Sequence, residues 1–386
     1  MDIREADSLY VANTYGRFDA LMESGSGAVF TDEAGRQYID MGSGIGVNVF
    51  GACDPVWTAA VEEQLHKLAH TSNLYYTEPC VRLAKLLCEK TGMKKVFFGN
   101  SGAEANEGAI KVARKYGNDA SDGKRNVIVT LQNSFHGRTI ATLKATGQAH
   151  FHQHFGPFPE GFRYVPANDA AALTEALSHN DVCGLMLEIV QGEGGVNTLD
   201  PDYLALCDRL CHEKDIVFII DEVQTGNGRT GSLYAYQQFG LRPDVVSTAK
   251  GLGGGLPIGA VLMGEKVQHV LGKGDHGSTF GGNPICAAGA CSVIERLDDT
   301  LLAEVREKAA CLRAALEKLP GVKSVSGLGL MIGIETERPA GDIVKECLAD
   351  GLMLLTAKTK VRLLPPLTIT YEQIDAGLEI LARHLV

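Results

Sequence analysis

Residues 216–226 read Ile-Val-Phe-Ile-Ile-Asp-Glu-Val-Gln-Thr-Gly, an unbroken apolar run that stops at Asp221. Consecutive apolar residues without polar alternation describe a strand buried on both faces, the habit of a parallel sheet covered by helices. An acid directly after such a strand lies at the carboxyl edge of the sheet, where open α/β folds bind ligands. Alone, Asp221 reads equally well as a helix cap or loop brace. A second run changes the balance. Val245-Val246-Ser247-Thr248-Ala249 ends in Lys250 and is followed by Gly251-Leu252-Gly253-Gly254-Gly255. If the two strands are parallel, Asp221 and Lys250 emerge at the same edge. Four glycines in the five residues after a lysine mark a backbone that turns tightly beside something bulky.

Further β-rich runs fall at 96–98, 127–131, 162–165, 185–190 and 258–263, making seven in all. Amphipathic helical stretches at 104–116, 170–178 and 201–213 separate most of them. This alternation predicts an α/β fold with a mostly parallel seven-stranded sheet. The later chain reads differently, with a helix over 297–319, strand-like regions at 323–335 and 353–364, and a last amphipathic helix over 371–385. Near the start, runs at 28–30 and 37–41 flank Asp32-Glu33-Ala34-Gly35, a hairpin signal. We therefore expect a large α/β domain at 46–275 and a smaller α+β domain formed by 1–45 with 276–386.

Hydrophobic residues make up 45% of the 386 positions and charged ones 22%, enough for a packed core and too apolar for a disordered chain. The net charge of −11 excludes a global field that attracts nucleic acid or anionic lipid, so any bound anion must be held locally. No stretch approaches the roughly 18 apolar residues of a membrane span, and the N-terminus lacks a secretory pattern. None of the ten cysteines forms a C-x-x-C pair. They read as reduced thiols of a cytoplasmic protein.

Other motifs gather around the two strand ends. Phe98-Gly99-Asn100-Ser101-Gly102-Ala103-Glu104 joins a strand to a helix. Ser101 with Glu104 is a capping box, and the same turn offers free backbone N–H groups to a phosphate. Ser134-Phe135-His136-Gly137-Arg138-Thr139 sets an aromatic and an arginine about a glycine, which suits planar stacking and bidentate carboxylate binding. Gly277-Ser278-Thr279-Phe280-Gly281-Gly282-Asn283-Pro284 is a glycine-dense turn with hydroxyls. Two G-x-G-x-x-G matches, at 226–231 and 272–277, lack the strand-then-helix context of a dinucleotide fingerprint, although a nucleotide-binding oxidoreductase built on the first is the competing class. His150, His152 and His154 precede an irregular Gly-Pro segment and read as no metal site.

Taken together, 100–107, 135–139, 221–226, Lys250 and 278–284 resemble the class III pyridoxal-phosphate aminotransferases, in the right order and over nearly the whole chain. Thr71-Ser-Asn-Leu-Tyr-Tyr76 and Gln191-Gly-Glu-Gly-Gly-Val196 point, within the class, to the branch acting on acetylornithine, with ornithine, succinylornithine and 4-aminobutyrate types as alternatives. The chain departs from the class pattern at Gly51-Ala52-Cys53-Asp54-Pro55 and at Ile189. The resemblance implies an aspartate-aminotransferase-like fold of type I, pyridoxal 5'-phosphate as cofactor and a homodimer with active sites at the subunit interface.

It also implies roles. Lys250 holds the cofactor covalently and moves the proton, and Asp221 pairs with the pyridine nitrogen. Val223 and Phe135 cover the ring faces, and Gln224 reaches the ring hydroxyl. Ser101, Gly102 and Ala103 bind the phosphate, with Thr279 from a second subunit. Arg138 takes the distal carboxylate, Arg362 the α-carboxylate of glutamate, and Ser278 belongs to the substrate-binding set. Glu188 is expected to neutralise Arg362 while acetylornithine is bound. The implied setting is arginine biosynthesis.

Overall fold

The computed structural model describes residues 2–386. Its centre is a seven-stranded sheet of β1 (Lys95–Gly99), β2 (Val127–Leu131), β3 (Phe162–Val165), β4 (Val182–Leu187), β5 (Val217–Asp221), β6 (Val245–Thr248) and β7 (Gly259–Met263). The spatial order is β1-β7-β6-β5-β4-β2-β3. Only β7 runs against its neighbours, β6 and β1. The apolar runs become strands because both faces are covered: β4, β5, β6 and β7 are buried at every position. In the parallel β5–β6 pair Asp221 lies opposite Ser247, so Asp221 and Lys250 do leave the sheet at one edge.

The helix Gly102–Ser121 opens at that edge and crosses the sheet. Its Ala105, Ala109 and Val112 pack with Ile128, Val217 and Val261 of the strands. Gly108 permits the close approach, because a β-carbon there would lie 2.7 Å from Val261 Cγ2. On the other face a larger core runs without interruption from Leu185 and Phe218 to Ile332 and Val361.

The two ends of the chain meet. Strand Leu352–Met353 adds in parallel to Gln37–Asp40, extending the N-terminal hairpin of Val29–Asp32 and Gln37–Asp40. A second antiparallel sheet holds Val322–Leu328, Met331–Thr336, Lys360–Leu363 and Leu355–Ala357 in that order. The loop after β5, which contains the 226–231 glycines, ties this sheet to the centre. There Arg229, 1% exposed, donates to the carbonyls of Leu330 and Pro365. Among the described residues no helix is long and apolar enough to cross a membrane.

Candidate active site

Asp221 is 3% exposed and held by three donors. Asn106 Nδ2 reaches its Oδ2 at 2.7 Å, His136 Nδ1 reaches the same oxygen at 2.8 Å, and the Val223 amide donates to Oδ1 at 3.0 Å. A carboxylate partner places the His136 proton on Nδ1. Asn106 also donates to the His136 backbone carbonyl at 2.7 Å, so one amide holds both the acid and the main chain of its histidine partner. Asn106 and His136 were assigned no role from sequence. Both stand inside the 100–107 and 135–139 motifs, but their contacts with Asp221 span 115 and 85 residues.

Lys250 follows β6 with φ of 48°, the left-handed region that a non-glycine residue rarely takes. Its Nζ forms no hydrogen bond or ion pair among the described residues. Burial, and next to it the Arg362 charge, pull its ammonium below the usual lysine range, against the nearby acids Glu193, Asp221 and Glu188. A lysine with a lowered pKa and an unengaged amine is a nucleophile and a proton carrier.

These groups face one cavity of about 220 Å³, whose wall carries Gly102, Ala103, Phe135, Arg138, Glu188, Asp221, Val223, Gln224 and Lys250. Gly102 and Val223 sit so close that a β-carbon on the glycine would fall 2.6 Å from Val223 Cγ1. Ser101 caps the helix through Glu104 N at 3.1 Å. Arg138 lies over the Phe151 ring at 4.1 Å and over Phe135 at 5.4 Å, while the two rings meet edge to face. Phe151 went unnoticed in the sequence because nothing in its local pattern marks a contact with Arg138.

Four expected residues lie off this wall. Ser101 stands at the helix start behind it. Ser278 Oγ takes hydrogen bonds from Asn100 Nδ2 and the Gly281 amide, at 3.1 and 2.9 Å, and Thr279 is exposed. Arg362 is 3% exposed and reaches the wall through Gln224 Oε1 at 3.1 Å. The expected Glu188–Arg362 pairing is absent. Glu188 instead accepts the Phe135 and Gly192 amides, and burial followed by the Asp221 charge pushes its carboxyl well above the usual range. Arg362 pairs with Glu193. Burial raises the Glu193 carboxyl, but the charge and hydrogen bond of Arg362, with Lys250 and Gln224, outweigh it and hold it below its usual value. Glu193, five residues beyond Glu188, is the acid that meets Arg362 in this structure. Gln224, expected at a ring hydroxyl, spans Arg362 and Glu193.

A family model described as Aminotransferase class-III matches residues 10–385. The chain belongs to the class III aminotransferases. Among class III relatives, the acetylornithine aminotransferase of Haemophilus ducreyi is 56% identical, over 99% of this chain and 98% of its own length. That of Methanocaldococcus jannaschii is 46% identical, over 96% and 95%. The ornithine aminotransferase of Toxoplasma gondii superposes with a TM-score of 0.95 at 31% identity, covering 99% of this chain and 94% of that one. The N-acetylornithine aminotransferase of Stenotrophomonas maltophilia gives 0.85 at 36%, covering 98% and 97%. Class III aminotransferases use pyridoxal phosphate, and the cavity fits it: a helix N-terminus for the phosphate, apolar side chains for the ring faces, an acid for the ring nitrogen and an amine for the aldehyde.

Proposed function

We propose that this enzyme transfers the δ-amine of N2-acetyl-L-ornithine to 2-oxoglutarate, giving N-acetyl-L-glutamate 5-semialdehyde and L-glutamate. The observation that carries the reading is Lys250 and Asp221 facing one cavity beside Arg138, in a chain 56% identical to an acetylornithine aminotransferase. The bound cofactor supplies a protonated conjugated ring that accepts the electron pair left when a substrate C–H proton is removed. Lys250 Nζ would hold the cofactor and, when free, would move the proton taken from the substrate carbon. Burial lowers the Lys250 pKa, which favours the neutral amine that proton transfer needs. Asp221 would pair with the ring nitrogen, its carboxylate oriented by Asn106, His136 and the Val223 amide. Phe135 and Val223 would cover the ring faces, Gln224 would turn from Arg362 and Glu193 to the ring hydroxyl, and Ser101, Gly102 and Ala103 would hold the phosphate.

Two substrates must share one pocket. Arg138 takes the distal carboxylate of each, aided by Ser278, with its guanidinium lying over the Phe151 ring at 4.1 Å. Acetylornithine presents an amine with no carboxylate beside it, and Glu193 then masks Arg362. Glutamate carries an α-carboxylate, which displaces Glu193 and pairs with Arg362. Glu188 keeps the Phe135 backbone and the 191–197 loop in place.

The active form is a homodimer in the cytoplasm, with Thr279 of a second copy completing the phosphate site. Leu74 and Tyr76, 88% and 100% exposed, supply with Phe280 an apolar surface for that contact. The division at 46–275 against 1–45 with 276–386 stands as our domain assignment. The test is single-turnover reaction with N-acetylornithine, ornithine, succinylornithine and 4-aminobutyrate. N-acetylornithine reacting fastest supports the assignment, and a faster rate with any other overturns it.

A further inference from the structure

The ion pair of Glu193 and Arg362 joins two separate parts of the fold, and its geometry depends on how those parts seat. Glu193 lies at the tip of a tight turn between short strands Val190–Gln191 and Asn197–Thr198. Arg362 stands on strand Lys360–Leu363, directly opposite Gly333 of the neighbouring strand. Val196 closes the turn. It is fully buried with φ of 53°, a conformation that a β-branched residue adopts only when its surroundings force it. The surroundings are visible. A β-carbon on Gly333 would lie 2.8 Å from Val196 Cβ and 3.0 Å from its Cγ2. The bare Gly333 backbone is thus the notch into which Val196 fits, one strand away from Arg362. Lys360 Nζ adds a polar clamp to the same seam, donating to Asn197 Oδ1 at 3.2 Å and to Ser326 Oγ at 2.8 Å.

We propose that Val196 and Gly333 are positioning residues that seat Glu193 against Arg362, and that this fit sets the preference between an amine lacking a neighbouring carboxylate and an α-amino acid. The proposal rests on the substrate reading above. A methyl group at Gly333 pushes the turn off the strand, so Arg362 loses Glu193 and stands ready for a carboxylate. Val196→Gly removes both the strain and the knob, leaving the turn free to drift.

The test uses the holoenzyme in Gly333→Ala, Val196→Gly and the double variant. The first readout is the ratio of single-turnover rates with N-acetylornithine and with glutamate. Gly333→Ala is expected to lower it about tenfold, mainly through the N-acetylornithine rate, and Val196→Gly to lower it about threefold. The double variant restores the ratio to within about twofold of the parent, because the methyl now fills the space left by the knob. The second readout is calorimetric affinity for glutarate, a dicarboxylate with no amine, expected to tighten about fivefold in Gly333→Ala. Equal loss in both half-reactions in a folded Val196→Gly protein, or unchanged glutarate affinity in a folded Gly333→Ala protein, overturns the proposal. A parent enzyme inert to N-acetylornithine overturns the substrate reading instead, while the glutarate shift still decides the seating.

Discussion

At the scale of single residues the site works by fixing groups that would otherwise wander. An arginine that must hold a carboxylate loses less freedom on binding if its guanidinium is already stacked. Phe151 does this for Arg138. Phe151→Leu is expected to raise KM for both substrates about fivefold, roughly 1 kcal/mol of lost cation–π and ordering energy, with kcat nearly unchanged. A fall in kcat at constant KM in steady-state assays would contradict that. Glu193→Gln separates the two acids near Arg362: it should slow the N-acetylornithine half-reaction by about tenfold or more and leave the glutamate half nearly intact, since charge masking is lost. Comparable loss in both, measured by stopped flow, would return the choice to Glu188. The Asp221, Lys250, Phe135 and Arg138 positions were legible because each lies at a strand end or in a glycine-bounded turn. Glu193 was not, because its meaning depends on Arg362, 169 residues away.

Elements carry the next layer. The proposed phosphate end of the site is a packed junction of three pieces: β1, the start of the Gly102–Ser121 helix and the start of β7. A β-carbon on Gly259 would fall 2.2 Å from the Ser101 carbonyl. Gly259→Ala should therefore displace the helix start, destabilise the fold by about 1–3 kcal/mol and weaken cofactor retention on dialysis. Unchanged retention would place the phosphate elsewhere. The loop after β5 has its own brace in Glu222, fully buried, which accepts Thr225 Oγ1 at 2.6 Å and the Tyr236 amide at 2.8 Å. Burial, helped by the Asp221 charge, raises its carboxyl from 4.5 to about 7. The folded chain then keeps a proton that the unfolded chain has released, so stability falls as pH rises from about 4.5 to about 7. Glu222→Gln should flatten this dependence and gain up to roughly 3 kcal/mol at pH 8 relative to pH 4.5. Urea melts at the two pH values check it, and parallel curves for parent and variant would refute it.

Element boundaries show where pattern reading stops. Runs at 127–131, 162–165 and 245–248 became strands of the same extent, and 201–213 became the helix Pro201–Glu213. The run expected over 185–190 is Val182–Leu187, because Cys183 and Gly184 hide its start and Glu188 leaves the ladder to hold the Phe135 amide. The helix Pro284–Arg296 gave no period to find, since Ala287, Ala290, Cys291, Val293 and Ile294 bury it nearly all round. It packs on Pro55–Lys67 and Glu78–Thr91. The departure at 51–55 has a local purpose: Asp54 caps Pro55–Lys67 through the Trp57 amide at 2.9 Å and pairs with Arg296 at 2.8 Å.

For the whole molecule the account requires a second copy. Tyr76→Asp should shift the protein to monomer in sedimentation and lower cofactor affinity with it, if a second copy's Thr279 completes the phosphate site as proposed. A dimer of undiminished affinity would contradict the proposed interface. What the entire fold accomplishes is to bring Asp221 and Lys250, from two neighbouring strands, to one cavity wall. The most direct measurement is borohydride reduction of the yellow holoenzyme followed by peptide mapping. A single reduced cofactor adduct on Lys250, and none in Lys250→Ala, is the expected result. An adduct on another lysine, or a protein that binds no pyridoxal phosphate, contradicts it.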